Sequence, residues 1–298
     1  MKAAAWAIEG LRALSIQGWS ASCVAALISA ILKGFAPRGK QVLANLRLVY
    51  PESSEAWGRG LRRRLYEHLA WMVTELLVLQ RDPSQALKWV TEARGWIHID
   101  EALAGGKGVL FLSGHYGNWE LLAAWYAQYL KRRGTGGLYM ISQETKDQDI
   151  SRLIIRYRQN SGIKLLPRKT TSTLKMVRLL KEGAHIALTP DISWGEGIVL
   201  PFMGHPCTNT MGPAVLGLLA SVPIVPVALY REGPFRHTVE FFPPLPAPEE
   251  GDRRRKIERL TLQVNAALER MLAPQPELWF WLHNRWKIGV SVGQRSGG

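Results

Sequence analysis

From about residue 106 onward, short apolar runs alternate with amphipathic segments, and this alternation limits the possible folds more than any other feature of the chain. A run of four to seven apolar residues buries on both faces of a sheet, and longer segments with one apolar face cover it. The pattern therefore calls for an α/β domain. It predicts strands over 109–113, 138–142, 163–166, 185–189, 224–230 and 238–242, with helices over 119–131, 148–161, 173–182 and 213–221. Gly162 and Gly183 stand where glycine ends a helix. A basic run, Arg253 to Lys256, opens a last helix to about Leu272, and the aromatic and basic run W-F-W-L-H-N-R-W-K comes after it. For Trp279, Trp281 and Trp286 packing is favoured over an interfacial anchor. No internal repeat or low-complexity tract interrupts this organisation.

The part before residue 106 reads differently. Residues 13–32 carry no charge, and twenty helical residues at about 1.5 Å each just reach across a bilayer core of roughly 30 Å. Ser15, Gln17, Gly18, Ser20, Ser22 and Ser29 dilute the run, so a helix lying in one leaflet suits it at least as well as a span, and a buried helix is the third reading. Glu9 and Arg12 argue against a cleaved signal, and Lys33, Arg38, Lys40 and Arg47 place the succeeding domain on the cytoplasmic side if the segment inserts. Residues 1–36 are thus expected to anchor the chain at a membrane, 37–105 to be helical, and 106–298 to form the α/β domain. Within the helical region, 54–80 has Ser53 or Ser54 as a cap and apolar positions three or four apart from Leu61 to Leu79. Arg59 and Arg62 to Arg64 near its start read as a solvated face, with lipid phosphate as the alternative.

A formal charge of +14 on 298 residues calls for an anionic partner, and 47% hydrophobic residues exclude a disordered chain. No nucleic-acid module occurs, and the arginines are dispersed among hydrophobic segments, so nucleic acid is not expected. Cys23 and Cys207 have no metal or disulfide spacing and read as idle thiols in a reducing compartment, with no metal site.

The chemistry gathers at one strand-to-helix junction, S-G-H-Y-G-N-W-E. His115 sits on the loop, Asn118 is a candidate N-cap, and Glu120 falls in the first helical turn, where the macrodipole favours a carboxylate. Five positions apart in one helix, His115 and Glu120 would face apart, so Gly117 is expected to let the backbone fold and bring them together. A carboxylate on one ring nitrogen leaves the other as a general base. No G-x-S-x-G elbow supplies a nucleophile, and Ser113 reads as strand-end structure, so the base would act on a substrate hydroxyl.

H-Y-G-N-W-E at 115–120 with S-V-P-I-V-P-V at 221–227 resembles the acyltransferase superfamily that includes glycerolipid acyltransferases. More closely, the chain resembles the lipid A biosynthesis lauroyl/myristoyl transferases. The resemblance extends through N-L-R-L-V-Y-P at 45–51, L-L-P-R-K at 165–169, T-P-D at 189–191, P-F-M-G at 201–204 and the terminal W-L-H-N-R-W-K. It implies a central mixed sheet flanked by helices, with an N-terminal helical membrane-anchoring region at the cytoplasmic face of an inner membrane. It also implies acyl transfer from an acyl carrier protein or coenzyme A thioester, with no further cofactor, to a hydroxyl of a phosphorylated glycolipid, a lipid A precursor first among them. In that reading His115 is the general base and Glu120 orients it, while Asn118, Arg152, Arg168, Lys169 and Asp191 contact substrate. The implied partners are acyl carrier protein, anionic membrane lipid and the glycolipid acceptor. The chain departs from relatives at Ile192-Ser193, where Gln often succeeds Pro-Asp, and at 138–141, which lacks Tyr-Arg-Pro. Competing readings are another glycolipid acceptor such as a phosphatidylinositol mannoside, a thioesterase or lipid hydrolase using the same pair on water, and a noncatalytic basic binding protein.

Overall fold

A computed structural model describes residues 18–134, 136–142, 148–192, 196–288 and 290–291. Among the described residues three helices come first, α1 (Trp19–Phe35), α2 (Gly39–Val49) and α3 (Glu55–Leu79). The Ser54 hydroxyl accepts the Trp57 amide at 3.2 Å and so satisfies one of the donors left open at the start of α3. The 17 residues of α1 measure about 26 Å, short of a bilayer core. Among the described residues no single helix is long and apolar enough to cross a membrane; α1 and α2 together pass only as a pair bent by 82°. Residues 13–17 of the predicted apolar run lie outside the described residues.

Next come a short helix α4 (Ala86–Trp89), strand β1 (Val90–Arg94) and α5 (Trp96–Ala104). The alternating region continues as β2 (Leu110–Leu112), α6 (Trp119–Arg133), β3 (Leu138–Ser142), α7 (Gln148–Asn160), β4 (Lys164–Pro167), α8 (Thr173–Lys181) and β5 (His185–Leu188). After it come β6 (Glu196–Phe202), β7 (His205–Asn209), α9 (Gly212–Ala220), β8 (Ile224–Gly233), β9 (Arg236–Phe241), α10 (Arg253–Leu272) and β10 (Val290–Ser291). The main sheet has the order β1-β9-β8-β2-β5-β3-β4. Its five strands from β8 to β4 are parallel, β9 is antiparallel to β8, and β1 is parallel to β9, so the sheet is mixed.

Side chains alternate across this sheet and build one core on each face. Leu110, Leu112, Ile186 and Leu188 point to a core shared with α2, α3, α8, α9 and α10. Phe111, Val225 and Val227 point to the opposite core, filled by α5 and α6. These interiors are why the junction after β2 is held rigidly enough to carry a site.

Two expectations are corrected. Residues 37–105 are not wholly helical, because β1 joins the sheet beside β9, pairing from Val90↔His237 to Arg94↔Glu240. The segment T-E-A-R carries no apolar alternation, and its strand state comes from that partner. The hairpin β6–β7, which with β10 forms a second, three-stranded sheet, also falls where the apolar pattern predicts no strand.

Candidate active site

Strands β2 and β5 are parallel neighbours with Leu112 opposite Leu188, and the Ser113 amide donates to the Leu188 carbonyl at 2.9 Å. The loops that leave their carboxyl ends therefore emerge side by side, the position at which open α/β sheets bind ligands. One loop carries His115, the other Asp191.

The two residues meet closely. His115 Nδ1 lies 2.8 Å from Asp191 Oδ1, and the His115 amide donates to Asp191 Oδ2 at 2.8 Å. The Trp279 indole Nε1 donates to the same Oδ2 at 2.9 Å. Burial of Asp191 works against its ionised form, but the His115 ring and the three donated bonds outweigh it and hold the carboxyl below its ordinary value. An ionised Asp191 accepts a hydrogen bond from Nδ1–H and so fixes the tautomer, which leaves Nε2 as the lone-pair nitrogen of a ring that lines the cleft. The C-terminal run closes the loop from below: Phe280 N donates to the His115 carbonyl at 3.0 Å, and Gly117 N to the Leu278 carbonyl at 3.0 Å.

The expected His115–Glu120 pair does not form. Glu120 turns the other way and takes a bidentate contact from Arg158 of α7, with Nε to Oε2 at 2.9 Å and Nη2 to Oε1 at 2.6 Å. The Trp119 indole packs edge-on against the His115 ring, 5.1 Å between centroids. Gly117 does bend the chain, at φ +58°, yet the bend lays the backbone onto the Leu229 carbonyl and does not turn Glu120 toward the histidine.

Other predicted positions separate in the same way. Asn118 is fully buried, with its Oδ1 capping Leu121 N at 3.1 Å and its Nδ2 donating to Glu75 at 2.8 Å, so it is structural and not open to substrate. Asp191 is likewise buried behind the histidine and serves the ring, not a ligand. Arg152 points outward and pairs with Asp149 on its own helix. Arg168 lines the cleft, whereas Lys169 is exposed beyond its lining. Arg158, also in the cleft wall, is a residue that no motif singles out. Helical periodicity carries the signal, because Ser151 and Arg158 are seven residues apart and share the inward face of α7. Burial disfavours the charged guanidinium, but Glu120 outweighs it and raises its pKa.

The cleft has a volume of about 350 Å³, and its lining includes His115, Arg158, Arg168, Thr173, Met176 and Pro213. A second, small cavity of about 30 Å³, lined chiefly by apolar side chains including Phe111, Leu122, Leu138, Val227 and Phe241, shares Trp119, Met140, Ala187 and Thr189 with it. The arrangement thus offers a base, a cation and apolar side chains in one cleft. Among the described residues no group of three His, Cys, Asp or Glu side chains is placed to hold a metal ion.

The chain is 24% identical over 206 residues to a phosphatidylinositol mannoside acyltransferase of Mycobacterium tuberculosis, covering 68% of this chain and 62% of that relative, less than two thirds of its length. It is 25% identical over 254 residues to the lipid A biosynthesis lauroyltransferase of Escherichia coli strain K12, covering 84% and 79%. The crystal structure of the 1-acyl-sn-glycerophosphate (LPA) acyltransferase PlsC from Thermotoga maritima aligns at a TM-score of 0.38 with 14% identity, over 84% of this chain and 97% of that one. The family described as bacterial lipid A biosynthesis acyltransferase matches residues 5–288, and the chain belongs to that family.

Proposed function

We propose that this protein transfers a fatty acyl group from an acyl carrier protein or coenzyme A thioester to a hydroxyl of a phosphorylated glycolipid, with a lipid A precursor as the acceptor. The observation that carries the reading is the His115–Asp191 pair, with the His115 ring in the lining of a cleft that has both basic and apolar walls. Support for a lipid A precursor over a mannoside comes from the extent of likeness, which reaches 84% of the chain for the lauroyltransferase and 68% for the mannoside enzyme.

In this mechanism His115 Nε2 accepts the proton of the acceptor hydroxyl as its oxygen attacks the thioester carbonyl carbon. Asp191 holds the ring in the tautomer that permits this and stabilises the imidazolium that results. The carbonyl electrons move onto oxygen, and Arg158 stands in the cleft wall as the cation for that charge, its Nε and Nη2 fixed by Glu120. Collapse of the tetrahedral species breaks the C–S bond, and the leaving thiolate takes the proton from His115. The cleft would receive the acyl chain along its apolar lining of Met140, Met176, Val215 and Leu216, while Arg168 would meet an acceptor phosphate. Acyl carrier protein and the glycolipid are both anionic, which suits a chain of +14.

Purified full-length protein supplied with radiolabelled acyl carrier protein thioester and glycolipid acceptors is expected to label the acceptor. His115→Ala should lower the rate by about 100- to 10,000-fold, and Asp191→Asn should fall with it, with thermal unfolding of both near that of the wild type. Equal activity in His115→Ala would overturn the mechanism. Acyl release that is indifferent to added acceptor would turn the reading to a hydrolase.

A further inference from the structure

Beneath the His115 loop lies a buried polar cluster that the proposed acyl transfer does not use. Glu75 of α3 is fully buried, and Arg231 of β8 binds both its oxygens, Nη1 to Oε1 at 2.6 Å and Nη2 to Oε2 at 2.7 Å. His237 of β9 donates from Nε2 to Oε1 at 2.9 Å. His68, two turns before Glu75 on α3, accepts at Nδ1 from Arg231 Nε at 3.2 Å, so its proton sits on Nε2, which donates to the Gly117 carbonyl at 3.1 Å. Asn118 Nδ2 donates to Glu75 Oε2 at 2.8 Å. His68 and Glu75 of α3, held in turn by Arg231 and His237, thus contact the two residues that carry the chain from the His115 loop into α6.

We propose that Glu75 is a positioning residue for His115, acting through Asn118 directly and through Arg231 and His68 on Gly117. The proposal rests on the acyl-transfer reading of the cleft. Its physical basis is the orientation of one amide. Asn118 caps α6 with its oxygen on Leu121 N, and the carboxylate on the opposite side fixes which end of the amide faces the helix. The cap sets the first turn of α6, and the first residue of that turn, Trp119, packs against the His115 ring. Asp191 fixes the ring at Nδ1, so the clamp from below decides where Nε2 points into the cleft. Burial and the neighbouring Arg231 charge drive the pKa of His68 down to about 3, which keeps it a neutral donor to Gly117 at any working pH. A buried ion pair contributes little to stability over an apolar replacement of the same shape, whereas its directional bonds do specify position.

Glu75→Gln keeps the volume and removes the charge, and the new amide must set a donor against one of Arg231, His237 and Asn118. The expected result is a fall in kcat of about 10- to 100-fold with KM for thioester and acceptor within about twofold, the signature of a displaced base. The second readout is the ring N–H proton resonance of His115, assigned by its loss in His115→Ala, which should shift or broaden in the full-length Glu75→Gln protein. Asn118→Ser retains a capping oxygen but cannot reach Glu75 with a donor, so it should give the same kinetic split, and the double variant should be no worse than either single one. A folded Glu75→Gln or Asn118→Ser protein with wild-type kcat and an unmoved His115 resonance overturns the proposal, as do additive losses in the double variant. If the wild type itself transfers no acyl group, the functional reading fails, and the resonance comparison still decides whether the clamp exists.

Discussion

His185 opens β5 with its ring stacked 5.9 Å from Phe111 and Nδ1 at 3.3 Å from the Tyr126 hydroxyl, and burial lowers its pKa to about 4. Above pH ~6.5 it is neutral in both the folded and unfolded states. Below that value the unfolded chain takes up a proton that the folded ring refuses until about pH 4, so stability falls as pH falls through this window. Chemical denaturation at pH 7 and pH 4.5 should show wild type losing about 2–3 kcal/mol more than His185→Gln across that interval. Parallel losses in the two proteins would remove His185 as the cause. The same scale shows what single residues disclose in a sequence. His115 was legible because a histidine between glycines after a buried strand has few structural uses. Its partner was not, because Asp191 lies 76 positions away and the adjacency of β2 and β5 is a property of strand order, which no local pattern encodes.

At the level of elements, the junction after β2 depends on Gly117 more than on any neighbouring glycine. Its φ of +58° is in the left-handed region, and a Cβ there would stand 2.1 Å from the Leu229 carbonyl oxygen. Gly134, at the end of α6, has a similar φ of +66° but open space around it. Gly134→Ala should therefore cost only the left-handed penalty, about 1 kcal/mol, whereas Gly117→Ala should cost more than about 2 kcal/mol and displace the His115 loop. Thermal unfolding of both variants checks this, and equal losses would show that the Leu229 contact does not matter. Helices with strong periodicity were readable nearly to the residue: α10 begins at Arg253 and ends at Leu272 as its pattern predicts. The β6–β7 hairpin was not, since its turn residues are Met203 and Gly204, both at positive φ, and methionine is no signal for such a turn. Glu269 of α10 accepts the Met203 amide at 2.5 Å, so a distant helix secures the conformation that local sequence does not announce.

Taken as a whole molecule, the chain presents one helix whose two faces differ sharply. In α1, Ala21 and Ala25 are buried, packed toward α3 beside Leu77, while Trp19, Leu27, Ile31 and Phe35 are exposed at spacings of eight, four and four. At about 100° per residue these spacings spread the four large side chains over about 160° of the helix, on the side away from Ala21 and Ala25, and a broad apolar face of this kind on a chain of +14 suits a helix lying in the interface of an anionic bilayer. Two forces then act together. Apolar burial contributes about 1.5–3 kcal/mol for each large side chain immersed, and each basic residue near an anionic surface adds about 1 kcal/mol. Salt screens only the second, since the Debye length is ~8 Å at 0.15 M and ~3 Å at 1 M. Co-sedimentation of the full-length protein should therefore be stronger with vesicles containing phosphatidylglycerol than with phosphatidylcholine alone, and 1 M salt should reduce but not abolish it. Leu27→Asp with Ile31→Asp should remove the salt-resistant part while leaving thermal unfolding near wild type, because neither side chain belongs to a core. Binding in the double variant equal to wild type at high salt would show that the apolar face of α1 does not enter the bilayer.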